Sequence, residues 1–327
     1  MMKIEFAQKG TKGQQLIDAL TVAIGQGQYK RGDFLPSINL LSKEVNVSRD
    51  TVFKAYAELK RRGLVASMAA KGYYVNGAVN KVFMLLDTFS PFKDVLYNAV
   101  ISHLPHNYTV DLLFHHYNLR VFESVIADSL GRYGKYVVMN FDNEKINDML
   151  QKIDKGKLLI LDMGKHRTKD DAYVCQDFDQ ALYQCLQAGW ALLRRYRRLV
   201  LYFPDTSPHP RSSIRYFKRF CKDYNMEAEV ATRIEKSDIQ CGTAYLVIPQ
   251  KELVEMVKFC RDRRLNLGRD VGLIAYNDSP LYEVIDRGVT VISTDFAAMG
   301  KRAAEFIKSG QKIQEIVPTQ LILRGTL

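Results

Sequence analysis

Ser48, Arg49, Thr51 and Lys54 lie within seven residues of one another and bring together two hydroxyls, a forked guanidinium and an ammonium. Groups of this kind hydrogen-bond phosphate oxygens and base edges. A second set is spread more widely. Asp87, Asp177, Asn277 and Asp278 supply planar carboxylates and an amide, and Phe89 and Phe92 supply aromatic faces. A sugar needs the former for its vicinal hydroxyls and the latter for its C–H surface. Asn277-Asp278-Ser279-Pro280 also reads as a turn and helix-cap signal. Other chemistries lack their usual patterns. His115 and His116 are adjacent, so in a strand they point to opposite faces and cannot chelate one ion. The remaining histidines show no ligand spacing, and no phosphate-loop, dinucleotide or nucleophile-elbow motif occurs. No metal and no cofactor are expected, and the chain does not read as an enzyme.

The elements that position the first set are legible. Leu16, Leu20, Ala23 and Ile24 mark one buried helix face, which should end near Gly25 or Gly27. After a turn-rich connector, Tyr29–Pro36, Ser37 caps a short second helix carrying Leu40, Leu41 and Val45, and Asn46 suits a tight turn. Ser48 caps a third helix whose buried stripe is Val52, Ala55, Tyr56 and Leu59. Arg49, Thr51, Lys54 and Arg61 fall outside that stripe. Asp50 near its start and Lys60, Arg61 and Arg62 near its end match the helix dipole. Two short helices and a tight turn make a helix-turn-helix suited to a DNA major groove. Beyond Gly63, the stretches Leu64–Ser67 and Tyr73–Asn76 read as a hairpin with Lys71 and Gly72 near its tip, a wing.

These residues resemble a family. The blocks G-x-Y-K-R-G-D-F-L-P-S (Gly27 to Ser37), V-S-R-D-T-V (Val47 to Val52), A-x-x-E-L-x-x-x-G-L-V (Ala55 to Val65) and K-G-Y-Y-V (Lys71 to Val75) look like the winged helix-turn-helix of GntR-type bacterial transcription regulators. The resemblance implies that Ser48, Arg49, Thr51 and Lys54 face an operator and that Gly72 lets the wing approach the minor groove. It places Ser37 and Asn39 at the same interface. Asn39 departs from the family, which usually has a basic residue two places after that serine.

Charge agrees with this placement. Of 327 residues, 47 are Lys or Arg and 36 are Asp or Glu, a net of +11. The first 79 residues hold 12 basic and 6 acidic side chains, so a quarter of the chain carries more than half of the excess. A locally basic module is an electrostatic footprint for a phosphate backbone. The starting segment MMKIEFAQKGTKGQQ has no apolar export core, and no apolar run is long enough to span a membrane. Five cysteines without paired spacing read as reduced thiols. A cytoplasmic protein is expected.

Asn76–Asn80 reads as a hinge with nothing to pack. Past it, nine strand-like runs (Val82–Leu86, Thr109–Phe114, Tyr136–Met139, Leu158–Leu161, Leu199–Phe203, Glu229–Ala231, Ala244–Ile248, Gly272–Ala275, Thr290–Ser293) alternate with amphipathic helical stretches, one spanning Phe178–Leu193. This alternation implies parallel sheet in two lobes, with ligand beyond the strands' carboxyl ends or in a cleft. Asp87, Phe89, Phe92, Asn277 and Asp278 stand just past such ends, and Asp177 stands in an expected crossover. V-F-M-L-L-D (Val82–Asp87), V-G-L-I-A-Y-N-D (Val271–Asp278), T-V-I-S-T-D-F-A-A-M-G-K-R-A-A (Thr290–Ala304) and P-T-Q-L-I-L-R-G-T (Pro318–Thr326) resemble the sugar-sensing domain of LacI-type repressors, which shares its fold with periplasmic sugar-binding proteins. Arg211–Phe217 and Pro249-Gln250 depart from that pattern. The clusters Lys165–Arg167 and Arg194–Arg198 read as a solvated loop and the polar end of a helix.

The expected architecture is multidomain: a winged helix-turn-helix over 1–78 and a two-lobed α/β, periplasmic-binding-protein-like domain over 81–327. The implied activity is that of a regulator, a repressor by resemblance, acting as a homodimer on double-stranded operator DNA and answering to a carbohydrate or sugar phosphate. The alternative is a GntR-type regulator whose second domain is enzyme-like or a ligand-free dimerisation domain.

Overall fold

The computed structural model describes residues 11–76, 78–164, 167–233 and 235–327. The first ten residues of the segment read for export, Gly77 of the expected hinge, and Lys165-His166 of the basic loop lie outside them.

Helix α1 (Lys12–Gly25) begins where the Thr11 hydroxyl accepts from the Gln14 amide at 3.3 Å. Helix α2 (Ile38–Glu44) is capped in the same way by Ser37, and α3 (Arg49–Arg61) by Ser48. Asn46 takes φ +49° in the turn between them, a conformation asparagine tolerates better than most residues. Leu16, Leu20 and Ile24 of α1 pack with Leu41, Val52, Tyr56 and Leu59 into one core. The Tyr56 hydroxyl donates to the Pro36 carbonyl at 2.7 Å and so fixes α3 to the loop that leads into α2. Strands β1 (Val65–Met68) and β2 (Gly72–Val75) form the antiparallel wing, Val65 opposite Val75. The connector is more than a turn. Gly32 N–H donates to Val75 O at 3.0 Å and Leu35 N–H to Tyr73 O at 2.8 Å, so residues 32–35 run beside β2, with an isolated antiparallel bridge between Phe34 and Tyr74.

The chain continues through β3 (Ala78–Leu86), α4 (Pro91–Ser102), β4 (Thr109–Phe114), α5 (Leu119–Ser129), β5 (Tyr133–Met139), α6 (Lys145–Leu150), β6 (Leu158–Asp162) and β7 (Ala172–Gln176). Then come α7 (Gln180–Ala188), α8 (Trp190–Leu193), β8 (Arg198–Tyr202), α9 (Ser212–Asp223), β9 (Glu227–Ala231), β10 (Thr243–Val247), α10 (Gln250–Asp262), β11 (Val271–Tyr276), β12 (Thr290–Thr294), α11 (Phe296–Ser309), β13 (Gln314–Val317) and β14 (Thr319–Ile322). Two six-stranded sheets result, in the orders β13-β7-β6-β5-β3-β4 and β14-β12-β11-β10-β8-β9. All nine expected strands are present. The sequence reading lacked β7, taken as a crossover, and the short β13 and β14, whose exposed alternate residues leave no apolar run. It also lacked α6. The expected helix over 178–193 breaks at Gly189 into α7 and α8.

Contacts group the chain into two compact units. One comprises residues up to 88 with 101–174 and 303–314; the other comprises 89–100, 175–302 and 315–327. Within the first, the winged helix does not hang from a free hinge. Residues 78–80 already belong to β3, where Ala78 pairs with Tyr133. The end of α1 is held too: Asp154 N–H donates to Gly25 O at 3.0 Å. Gly131, at φ +74°, leaves only enough room that a β-carbon there would sit 3.0 Å from Leu64 and 3.1 Å from Ile24. Gly131→Ala is therefore expected to add backbone strain of about 1–2 kcal/mol to a tight joint. Calorimetry should show a lower unfolding midpoint; an unchanged one would mean that this joint is open in solution.

Candidate functional site

On the winged helix the charges sort by what already holds them. Lys60 Nζ donates to Ser67 Oγ at 2.7 Å. Arg61 and Arg62 both clasp Glu58, at 2.6 and 2.8 Å, and those two guanidiniums draw its carboxyl down to about 2. Lys54 pairs with Asp50 at 2.7 Å, with both side chains largely in solvent, where such a pair is weak and exchanges readily with another anion. Arg49, in the first turn of α3, is exposed and has no side-chain partner among the described residues. The Ser48 and Thr51 hydroxyls meet at 2.8 Å while Ser48 caps the helix. Ser37 and Asn39 are exposed at the start of α2, and Lys71 and Gly72 at the wing. Gly72 takes φ +104° with open space where a β-carbon would be, which leaves that backbone free for close approach to a ligand. Sequence reasoning missed Phe53. It lies one helical turn beyond Arg49 and is 50% exposed, an apolar surface of the kind that meets a thymine methyl.

In the first unit, β3 lies between β4 and β5. Connections leave it in opposite directions, which opens a crevice at the strands' carboxyl ends. Asp87 stands there, 5% exposed, and accepts from the Tyr117 hydroxyl and the Thr88 amide. Burial, followed by the charge of Asp87, drives the Tyr117 phenol well above its ordinary value, so it stays a donor. His116, Tyr117 and Asp162 have φ of +49°, +56° and +66°. Asp162, at the end of β6, is 9% exposed. Left-handed non-glycine residues beside buried carboxylates form a strained, polar, preorganised surface. Only Asp87 of this group is found by sequence reasoning; the backbone strain that marks Tyr117 and Asp162 has no sequence signal.

The second unit has the corresponding order, with β8 between β9 and β10. At its strand ends Gln176 Oε1 accepts from Tyr276 OH at 3.2 Å and Thr294 Oγ1 at 3.0 Å. Phe178 stacks on Tyr276 with ring centres 6.5 Å apart, and His209 meets Tyr276 edge-on at 4.6 Å. His209 Nε2 lies 2.9 Å from Ser213 Oγ. Asn277 takes φ +65°, and its side-chain oxygen is buried without a hydrogen-bond partner. An orphan acceptor in a strained residue at a strand end suits an incoming hydroxyl.

Asp278, Asp177 and Phe89 stand in different surroundings. Asp278 is spent on structure: Arg324 binds both its oxygens, at 2.9 and 2.7 Å, and the Ser279 amide takes one again at 2.8 Å. Asp177 caps α7, accepting from the amides of Asp179, Gln180 and Ala181. Phe89 is 71% exposed. Phe92 instead packs on Phe296 at 4.8 Å and shares with Asp278 a pocket of about 320 Å3. Among the described residues, no three metal-ligating side chains are grouped to hold an ion, and no helix is long and apolar enough to cross a membrane.

A helix-turn-helix with a wing and an uncommitted arginine, followed by two sheets of matching strand order, defines a DNA-binding module joined to a small-molecule-binding fold. Comparison with known proteins agrees. Residues 12–75 match the family of bacterial regulatory proteins, gntR family, and residues 192–327 match the periplasmic binding protein-like domain. The chain thus carries a GntR-family helix-turn-helix followed by a periplasmic-binding-protein-like domain. The HTH-type transcriptional regulator YcxD of Bacillus subtilis is 38% identical over 64 residues, which is 20% of this chain and 14% of that one. The trehalose repressor of Escherichia coli has a TM-score of 0.61 at 16% identity, over 74% of this chain and all of that chain. A LacI family regulator from Lactobacillus casei with bound glucose has 0.62 at 13%, over 76% of this chain and all of that chain. These two structures share the fold.

Arg49→Ala is expected to weaken binding of a cognate DNA duplex by about 1–3 kcal/mol and, if the contact is to phosphate, to lower the salt slope by about one. Fluorescence anisotropy over a salt series measures both, and unaltered affinity would remove Arg49 from the interface. His209 gives a pH prediction. Burial holds its imidazole down from 6.5 to about 3. The unfolded chain therefore gains a proton below about pH 6.5 that the folded chain refuses until about pH 3, and stability falls as pH drops through that window. Thermal midpoints between pH 7 and 4 should decline in the wild type and decline less in His209→Asn.

Proposed function

We propose that the protein is a transcription regulator, most simply a repressor, that binds double-stranded operator DNA and releases or tightens its hold when a carbohydrate or sugar phosphate binds. The observation that carries this reading is the joint presence of an uncommitted Arg49 on α3 and buried, strained polar groups at the strand ends of the α/β domain. Residues up to 78 serve as the DNA-reading domain and residues 81–327 as the sensor. Ser48, Arg49, Thr51 and Lys54 face the major groove, Ser37 and Asn39 flank it, and Lys71 and Gly72 bring the wing to the backbone. A homodimer presents two such surfaces to half-sites of a near-palindromic operator, as symmetry favours. The protein works in the cytoplasm, where its DNA is.

Asp87 and Asn277 are effector contacts retained from the sequence, each taken within its own unit, with Tyr117 beside Asp87 and Tyr276 next to Asn277 in the chain. Support for a sugar comes from acceptors and aromatic faces at strand ends, and from the glucose-bound and trehalose-named relatives of the same fold. An effector changes DNA affinity only by its differential affinity for two arrangements of the protein. The test begins with a thermal-shift screen of monosaccharides and their phosphates, since a ligand bound only by the native state raises the midpoint. Anisotropy with a duplex from the protein's own upstream region then follows with and without the hit. Asp87→Asn should keep basal duplex affinity and lose the sugar response. A normal dose-response in that variant refutes the effector assignment, and no duplex binding at low salt refutes the regulator.

A further inference from the structure

At the amino end of β11, α10 and the loop after it enclose a pocket of about 410 Å3 that the effector reading leaves unused. Arg261, Arg264, Arg269 and Arg287 line it, over a floor that includes Val257 and Leu267. Two carboxylates stand nearby. Asp270 is held by Arg269 at 3.0 Å, and Asp286 lines the wall. Four guanidiniums against two carboxylates leave the concavity positive. Arg261 and Arg264 have no side-chain hydrogen bond or ion pair among the described residues. They are not needed to cap α10 either, because the carbonyls at that helix end already accept backbone amides: Arg263 N–H to Phe259 O at 3.1 Å, Arg264 N–H to Arg261 O at 3.0 Å and Leu265 N–H to Cys260 O at 2.8 Å.

Arg264 adds an independent sign. It sits at φ +56° just past the helix, where glycine is the usual residue. An arginine kept in a conformation that strains it has a use outside the backbone. The walls are rigid as well. Arg287 donates to Leu267 O at 2.8 Å, and Gly268 at φ +80° lies so close to Gly325 that a β-carbon would come within 2.3 Å of that carbonyl oxygen.

The geometry points to a binding site for a small phosphoryl anion in this pocket. Guanidinium forks match phosphoryl oxygens two at a time, which a scattered set of surface arginines does not achieve. The site is separate from Tyr276 and Asn277, proposed for the sugar, which lie at the opposite, carboxyl end of β11.

The probe is sodium pyrophosphate, compared with sodium chloride at equal ionic strength, on the full chain. The wild-type midpoint should rise with pyrophosphate beyond the chloride control, and calorimetric titration should give saturable binding. Arg261→Gln combined with Arg264→Gly should weaken that binding by about tenfold or more. The same variant should melt no lower than wild type without the anion, since glycine relieves the strained position. Arg49→Ala, which probes adventitious binding on the winged helix, should leave the pyrophosphate shift in place. The inference is overturned if pyrophosphate acts no differently from chloride, if the double variant keeps the full shift, or if Arg49→Ala removes it.

Discussion

The reversal of connection direction beside one strand of each parallel sheet is the constraint on which the rest of the structure depends. Where β3 lies between β4 and β5, and β8 between β9 and β10, helices leave to opposite faces. The helices beside that strand therefore diverge and leave a crevice at its carboxyl end. Side chains placed there are shielded by neighbouring loops yet unable to pair with a regular ladder. Polar groups in that position must find partners within the crevice or cost the protein their desolvation. Asp87 solves this with Tyr117 and the Thr88 amide, and Gln176 with Tyr276 and Thr294. Asn277 leaves one oxygen without a solution.

On the winged helix the deciding constraint is which cations are already satisfied. Composition alone makes the whole segment basic, but Lys60, Arg61 and Arg62 are consumed in holding α3 to the wing and to Glu58. These three side chains are thus taken up by the fold itself. Arg49 at the amino end of α3 keeps its full capacity, and Lys54 gives up only an exposed pair with Asp50. A net charge does not by itself locate an interface; the distribution of uncompensated charge does.

Much of this is legible in the sequence itself. Caps at Ser37 and Ser48, the turn at Asn46 and the wing at Lys71-Gly72 follow from local chemistry acting within a few residues, and the structure reproduces them. Strands of the parallel sheets were equally clear, because burial on both faces writes a continuous apolar run. What failed to show depends on partners distant in sequence. β13 and β14 are short strands with alternate residues exposed, and their pairing comes from strands far back in the chain. The pairing of Asp278 with Arg324 leaves no local sign in the sequence, because the two are 46 residues apart. The capping role of Asp177 is equally silent, because a capping aspartate and a binding aspartate share one sequence signature. Tyr117 and Asp162 are not legible, since aspartate only weakly favours a left-handed φ and tyrosine does not favour it.

The hinge expected at Asn76–Asn80 is replaced by a tighter connection, and this changes what any effector has to do. α1 ends against Asp154, and Ile24 and Leu64 press on Gly131. Asp154 precedes β6, and β6 ends at Asp162 among the strained groups around Tyr117. Every residue of β6 is buried, and five residues of strand span roughly 17 Å at about 3.3 Å each. One short rigid strand therefore connects the groove that holds the winged helix to the crevice that holds Asp87. Packed interiors transmit small displacements instead of absorbing them. A ligand that altered the hydrogen bonding of Asp87 and Tyr117 would meet, at the far end of β6, a joint with no slack at Gly131 in which to lose the movement.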